Sequence, residues 1–354
     1  MSEHLHGGRV FAAALDLGIP WRKIIDFSAN INPAGQPPGL KAHLFRTFAE
    51  TVHYPDVSAG SLVEAISRRT GLSPDRILPG AGSTPHIRMI ARILDPRRPV
   101  IIGPAFAEYE ESLAAAGKSA HWVLAGRARD FLVTPEEAEK AESLKPDLVF
   151  VANPANPTGR LLPRETALAL LDLSDRTGAW LVVDEAFFEF TSGGFSFLEE
   201  ASDRPRLLVL RSLTKIFAVP GLRLAYLAGS PESVRPLAAQ LEPWPLNCMA
   251  LEAGLYCLPL LDYLNAAAPA VARLRPALRK ILEPFGKVMP SDANFMLMDA
   301  GSGAPDVIGR LYRQGILVRD ASNFRGLGPG WLRFAVRPKA ELKALSRALA
   351  PAHA

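Results

Sequence analysis

Short apolar runs recur through the middle of the chain, at residues 100–102, 148–152, 181–183, 207–210 and 224–227. They are brief and rich in β-branched side chains, which predicts strands buried on both faces. Between them lie stretches with apolar residues at helical spacing. Residues 163–176, for example, predict a helix with one leucine-lined face. Alternating strands and helices predict an α/β fold with a mainly parallel sheet covered on both sides. From about residue 243 the pattern changes. Segments rich in Ala, Leu and Arg predict long helices up to residue 284, then strands near 293–298, 316–319 and 331–336, and a closing helix over 339–349. This is read as a second, smaller α/β domain. The first forty residues carry several Gly and Pro and no strong period, so they are expected to wrap over a site or join that smaller domain. The division predicted is a large domain over 40–240 and a small one made of 1–39 with 241–354.

The length of 354 residues supports that division, because a single core stops growing below this size. Hydrophobic residues make up 48% and charged residues 21%, an ordinary globular balance. The net charge of +4 is spread along the chain with no concentrated row of cations, so no nucleic-acid partner is expected. The most apolar stretch, residues 249–274, is broken by Glu252, Asp262 and two prolines, which argues against a membrane span. The opening residues lack the basic start and apolar core of a signal peptide, and a cytoplasmic location is expected. Two cysteines, Cys248 and Cys257, are too few for a disulfide framework or a four-ligand zinc site, and no metal is expected.

Candidate chemistry gathers where the apolar runs end. Ser212-Leu-Thr-Lys215 follows the run at 207–210, and Pro220-Gly-Leu-Arg223 comes soon after. A lysine just past a buried strand is costly unless its charge is paired or used. A lysine that attacks an aldehyde must be neutral, which burial and nearby cations favour. Asn153-Pro-Ala-Asn156-Pro-Thr-Gly159 follows the run at 148–152 and has the composition of a turn. In open parallel sheets that end of a strand is where ligands bind. Asp184-Glu-Ala-Phe187 closes the run at 181–183, and a carboxylate there could pair with a protonated ring nitrogen or cap a helix.

Taken together, these four segments, in this order and each after a predicted strand, resemble the fold-type I pyridoxal-phosphate enzymes, in the branch that holds histidinol-phosphate aminotransferases. The resemblance implies pyridoxal 5'-phosphate as cofactor, with Lys215 as the residue that carries it as a Schiff base and later moves the proton. It implies Asp184 at the pyridine nitrogen, Asn156 at the phenolic oxygen, and Ser212 and Arg223 on the phosphate. Gly82, Ser83 and Thr84, in Gly80-Ala-Gly-Ser-Thr, would add backbone N–H groups and hydroxyls to the same phosphate, as the start of a helix suits an anion. Phe106 would stack on the ring or serve as a core aromatic. Tyr54 would reach the phosphate of a neighbouring subunit, which implies a homodimer. Three positions depart from the pattern: Phe187 replaces a usual tyrosine, and Ala81 and Pro85 replace a usual Asn and Glu.

The ends of the chain narrow the resemblance. His6-Gly-Gly8, then Asp26-Phe-Ser-Ala-Asn30-Ile-Asn-Pro33, is similar to threonine-phosphate decarboxylases of cobalamin synthesis. The segments from Gly315 through Arg319 to Phe324, and from Trp331 through Arg333 to Arg337, agree with it. The implied reaction is loss of CO2 from L-threonine O-3-phosphate, a small phosphorylated amino acid. A decarboxylase must hold the Cα–carboxylate bond perpendicular to the cofactor ring, whereas a transaminase presents Cα–H there. Anchors far from the reacting bond decide which. By resemblance, Arg333 would hold the carboxylate and His6, Asn30, Asn156 and Arg319 would line the substrate pocket, with His6, Asn30 and Arg319 on its phosphate. Strand alternation alone leaves Arg333 and Arg337 on one face and does not separate them. The alternative function is a histidinol-phosphate aminotransferase.

Overall fold

The computed structural model describes residues 7–350. Its first strand, β1 (Ile25–Asp26), belongs to a small pairing discussed below. Seven strands form the main sheet: β2 (Ile77–Gly80), β3 (Pro99–Gly103), β4 (His121–Leu124), β5 (Leu148–Ala152), β6 (Trp180–Asp184), β7 (Leu207–Ser212) and β8 (Ala225–Gly229). Their order across the sheet is β2-β8-β7-β6-β5-β3-β4. The pairs β3–β4, β3–β5, β5–β6 and β6–β7 are parallel. β8 runs antiparallel to both of its neighbours, β2 and β7. A parallel crossover needs a long connection, usually a full helix. The link from β7 to β8 holds only the short helix Leu213–Ile216 and a single 3-10 turn, so the chain doubles back instead.

Strand alternation divides the core. Val149, Val151, Leu181, Val183, Leu207 and Val209 face the helices Pro135–Ser143 and Arg164–Thr177. Phe150, Val182, Leu208 and Leu210 face the helices Ser83–Ile93 and Glu108–Ala115. Burying a Val, Leu or Phe side chain contributes roughly 1.5–3 kcal/mol, so these two layers are the main stabilising mass of this half. Local sequence sets the helix ends. Thr134 and Glu137 form a reciprocal capping box before the first. Gly178, at φ +69°, ends the second, a conformation that side chains with a Cβ rarely adopt.

The predicted strands at 100–102, 148–152, 181–183 and 207–210 all form. β2 and β4 were not foreseen. β2 carries a proline and a glycine, and β4 is an edge strand with a mostly exposed pattern, so neither has a clear apolar signal. The region after residue 243 contains the helices Cys248–Cys257 and Leu261–Leu282 as expected. They are bent by 83° at their break, and no single helix among the described residues is long and apolar enough to cross a membrane.

The remaining strands are β9 (Lys287–Val288), β10 (Phe295–Asp299), β11 (Ile316–Leu317), β12 (Arg319–Asp320) and β13 (Trp331–Ala335). An antiparallel sheet has the order β12-β13-β10-β9. The run predicted at 316–319 is split at Val318, because its first half pairs with β1 and its second half with β13. β1 and β11 pair in parallel, Ile25 opposite Ile316, which ties the N-terminal segment to the C-terminal part of the chain.

One buried ion network braces the main sheet beside its ligand-facing edge. Arg211 on β7 meets Glu185 at 2.7 Å and Glu189 at 2.8 Å, and Glu185 also accepts from the Phe197 N–H at 2.8 Å. Removing one partner of a buried pair leaves the other charge uncompensated, at a cost of about 3–5 kcal/mol. The Glu185→Ala variant should lose about that much stability in urea unfolding, with the midpoint moving and the slope unchanged.

Candidate active site

The functional segments converge because each follows a strand at the same edge of the main sheet. β5 delivers the turn that contains Asn156. β6 ends on Asp184 and β7 on Ser212, and Lys215 sits in the short helix that follows β7. β3 leads into the loop with Phe106. β2 leads into Gly82 and the helix Ser83–Ile93. From the opposite side come Asn30, in the N-terminal segment, and Arg319 and Arg333, from β12 and β13. Together they enclose a cavity of about 400 Å³.

The cavity has distinct ends. At one, the helix Ser83–Ile93 opens with no side-chain cap, so its first N–H groups face outward beside the Ser83 and Thr84 hydroxyls. Gly82 stands there at φ +89°, and a Cβ at this position would collide with the Arg223 guanidinium. The absence of a side chain thus lets that cation approach the helix start. Arg223 itself has φ +61°. Ser212 Oγ and Thr214 Oγ1 lie 2.7 Å apart nearby.

Asp184 is the acidic pole. Its Oδ2 accepts from the Tyr109 hydroxyl at 2.7 Å and its Oδ1 from the Ala186 N–H at 3.0 Å. Burial pushes its carboxyl up, while these hydrogen bonds and the Lys215 charge oppose that shift. Burial, followed by the Arg223 and Arg333 charges, lowers the Lys215 ammonium from 10.5 to about 8, against the pull of Asp184. A useful fraction of Lys215 is therefore a neutral nucleophile near neutral pH.

The third pole is cationic. Arg319 and Arg333 face each other directly across β12 and β13, and both are buried. Arg333 donates to Asn156 Oδ1 and, at 2.9 Å, to the Ser28 carbonyl. Arg319 donates to Asn323 Oδ1 at 2.8 Å and to the Asp320 carbonyl. Both sets of acceptors are neutral oxygens. Burial and the Arg319 charge lower Arg333 to about 9. Asn30 Oδ1 and Arg333 Nε are buried without a hydrogen-bond partner among the described residues.

Every residue to which the resemblance gave a role lines this cavity except two. His6 lies outside the described residues. Tyr54 is 81% exposed and stacks on Trp244 at 4.6 Å, away from this chain's own cavity. Arg333 and Arg337 are now separated: β13 ends at Ala335, and Arg337 instead pairs with Glu341 at 2.7 Å. Phe187 is buried edge-on against Phe295 and brings no hydroxyl to the cavity. Pro85 lies in the first turn of its helix, where a missing N–H costs no internal hydrogen bond. Sequence reasoning gave no role to Tyr109, Ser28, Asn323 or Phe324, which also line the cavity. The one available signal was for Tyr109: a carboxylate ending a buried strand requires a donor.

These donors fit pyridoxal 5'-phosphate. A helix start with hydroxyls and a guanidinium suits its phosphate, a buried carboxylate suits a protonated ring nitrogen, and a partly neutral amine opens on the same cavity. The unpartnered Asn30 oxygen and Arg333 Nε mark further space for a polar ligand.

Comparison with known proteins agrees. The family model "Aminotransferase class I and II" matches residues 22–349. A threonine-phosphate decarboxylase of Salmonella typhimurium is 36% identical over 97% of this chain and 95% of its own length. A histidinol-phosphate aminotransferase of Mycobacterium tuberculosis is 35% identical over 89% of this chain and 84% of its own. The crystal structure of an L-threonine-O-3-phosphate decarboxylase from Porphyromonas gingivalis superposes with a TM-score of 0.82 at 26% identity, covering 92% of this chain and 98% of that one.

The shifted lysine yields a measurable expectation. When the chain stripped of cofactor is mixed with pyridoxal phosphate and reduced with borohydride, the label should fall on Lys215. Its rate of incorporation should rise with pH through about 8 and level off above, since the neutral amine reacts. Arg333→Gln removes a cation that disfavours the ammonium, so the midpoint should move to higher pH.

Proposed function

The chain belongs to the class I and II aminotransferase family, and on that footing we propose that it is a pyridoxal-phosphate-dependent decarboxylase. It converts L-threonine O-3-phosphate to (R)-1-amino-2-propanol O-2-phosphate and CO2, a step of cobalamin synthesis. The observation that carries this reading is the cross-strand pair Arg319 and Arg333, buried and held by neutral oxygens. Elsewhere the fold neutralises a buried guanidinium with carboxylates, as at Arg211. At the cavity Asp320 and Asp26 offset the charges of Arg319 and Arg333 only in part, and the direct counter-charge is left to the ligand. A substrate with both a carboxylate and a phosphate supplies two anions for two cations. Histidinol phosphate brings only one, and the 2-oxoglutarate that a transaminase also needs brings two carboxylates but no phosphate.

In this reading, Lys215 would carry the cofactor through Nζ, and Asp184 would pair with its ring nitrogen. Asn156 would hydrogen-bond its phenolic oxygen, and Phe106 would stack on its ring. Ser212, Thr84, Arg223 and the N–H groups that follow Gly82 would hold its phosphate. When bound, the cofactor supplies an electron sink for whichever Cα bond stands perpendicular to its ring. The chain's own residues choose that bond. Arg333 grips the substrate carboxylate, and Arg319 with Asn30 grips the distant phosphate; His6 joins them from outside the described residues. Two anchors on different substituents of Cα fix the orientation of the third. Lys215 Nζ would hold a proton and return it to Cα after CO2 has left.

We also infer a homodimer in which Tyr54 serves the partner's site. Tyr54 is exposed together with Phe45, Phe48 and Val52 on one stretch of chain, an apolar group of the kind that marks an interface.

With L-threonine phosphate and no keto acid, the holoenzyme should release CO2 over many turnovers. Activity only in the presence of 2-oxoglutarate would favour the transaminase reading, which the Mycobacterium tuberculosis relative supports. Arg319→Ala should raise KM for L-threonine phosphate on the order of 100-fold, as expected when one member of a buried charge pair is cut away. Two inactive variants, Tyr54→Ala and Lys215→Ala, should regain activity when co-refolded, because a mixed dimer holds one intact site. A mixture that stays inactive rules out the shared site.

A further inference from the structure

Tyr109 lies in the helix Glu108–Ala115 and is fully buried. Its hydroxyl donates to Asp184 Oδ2 at 2.7 Å. Its ring lies flat against Phe150 of β5, with centroids 5.1 Å apart and planes 4° apart. The same ring meets Phe106 edge to face at 5.9 Å. One side chain thus touches both groups that would contact the cofactor ring: the carboxylate at its nitrogen and the aromatic at its face. Resting on the reading that this site takes pyridoxal phosphate, we propose that Tyr109 is a positioning residue: its hydroxyl keeps the Asp184 carboxylate ionised and aimed into the cavity, and its ring backs Phe106.

The physical need is specific. A buried carboxylate tends to take up a proton, because burial penalises its charge. A protonated Asp184 no longer draws a proton onto the ring nitrogen, and the electron sink weakens. The Tyr109 hydrogen bond is the largest influence opposing that burial. Tyr109 remains a donor throughout, since burial and the Asp184 charge hold its own hydroxyl well above its usual range. Phe150 fixes the ring from the far side, so the hydroxyl has no freedom to turn away. With Oδ1 held by the Ala186 N–H, the carboxylate is clamped at both oxygens.

Tyr109→Phe keeps both ring contacts and deletes only the hydroxyl. In the cofactor-free chain at pH 7, its infrared spectrum should show a protonated-carboxyl C=O band. That band should be missing from the wild type and from the double variant Tyr109→Phe/Asp184→Asn. In the holoenzyme kcat should fall on the order of 10–100-fold, the loss expected for one hydrogen bond to a charged group, with KM little changed. With the deaza analogue of pyridoxal phosphate, whose ring carries C–H in place of the nitrogen, the difference between Tyr109→Phe and wild type should vanish. The absence of the band, an unchanged kcat, or a loss that persists with the deaza analogue each overturns the proposal. The infrared result needs no substrate, so it stands or falls separately from the decarboxylase reading.

Discussion

The site depends on the cost of burying two guanidiniums that no carboxylate contacts directly, since Asp320 and Asp26 offset the charges of Arg319 and Arg333 only in part. Arg319 and Arg333 are withdrawn from water on facing strands, yet neither forms an ion pair among the described residues. Lys215 lies within reach of Arg333 and Arg223, and its ammonium is destabilised as a result. This arrangement favours an amine that is partly neutral and a cavity that calls for anions. Stability and chemistry here draw on the same electrostatic imbalance.

The rest of the fold supports that imbalance. A mainly parallel sheet brings the ends of β5, β6 and β7 to one edge, so the turn with Asn156, the carboxylate and the lysine arrive together. On β6 and just beyond it, neighbouring acidic residues serve opposite purposes. Asp184 looks into the cavity, whereas Glu185 is spent on Arg211 and holds β7 in place. Tyr109 joins the helix Glu108–Ala115 to β5 and β6, and through them ties the acidic pole to the aromatic face.

Much of this was legible beforehand. Buried parallel strands are apolar on both faces, so their runs are continuous and easy to read, and the motifs follow them at fixed distances. Where strands are short, exposed or bear a proline, as in β2 and β4, the signal fades. The reversal at β8 and the division of residues 316–320 between two sheets depend on which strand lies alongside, and no local pattern encodes that. Tyr54 likewise has no place within its own chain's cavity, and its proposed role awaits a second subunit.

By itself, the order of residues determined the strand and helix content of the middle of the chain, the lysine, carboxylate and asparagine that follow the strands, and the likeness to pyridoxal-phosphate enzymes. These are local matters of apolar period and turn chemistry, repeated along a line. Tertiary structure alone decided that Arg319 faces Arg333 and that Tyr109 completes Asp184. Each of these joins residues from separate elements. The energy of such contacts depends on distance and burial, which exist only once the chain has packed.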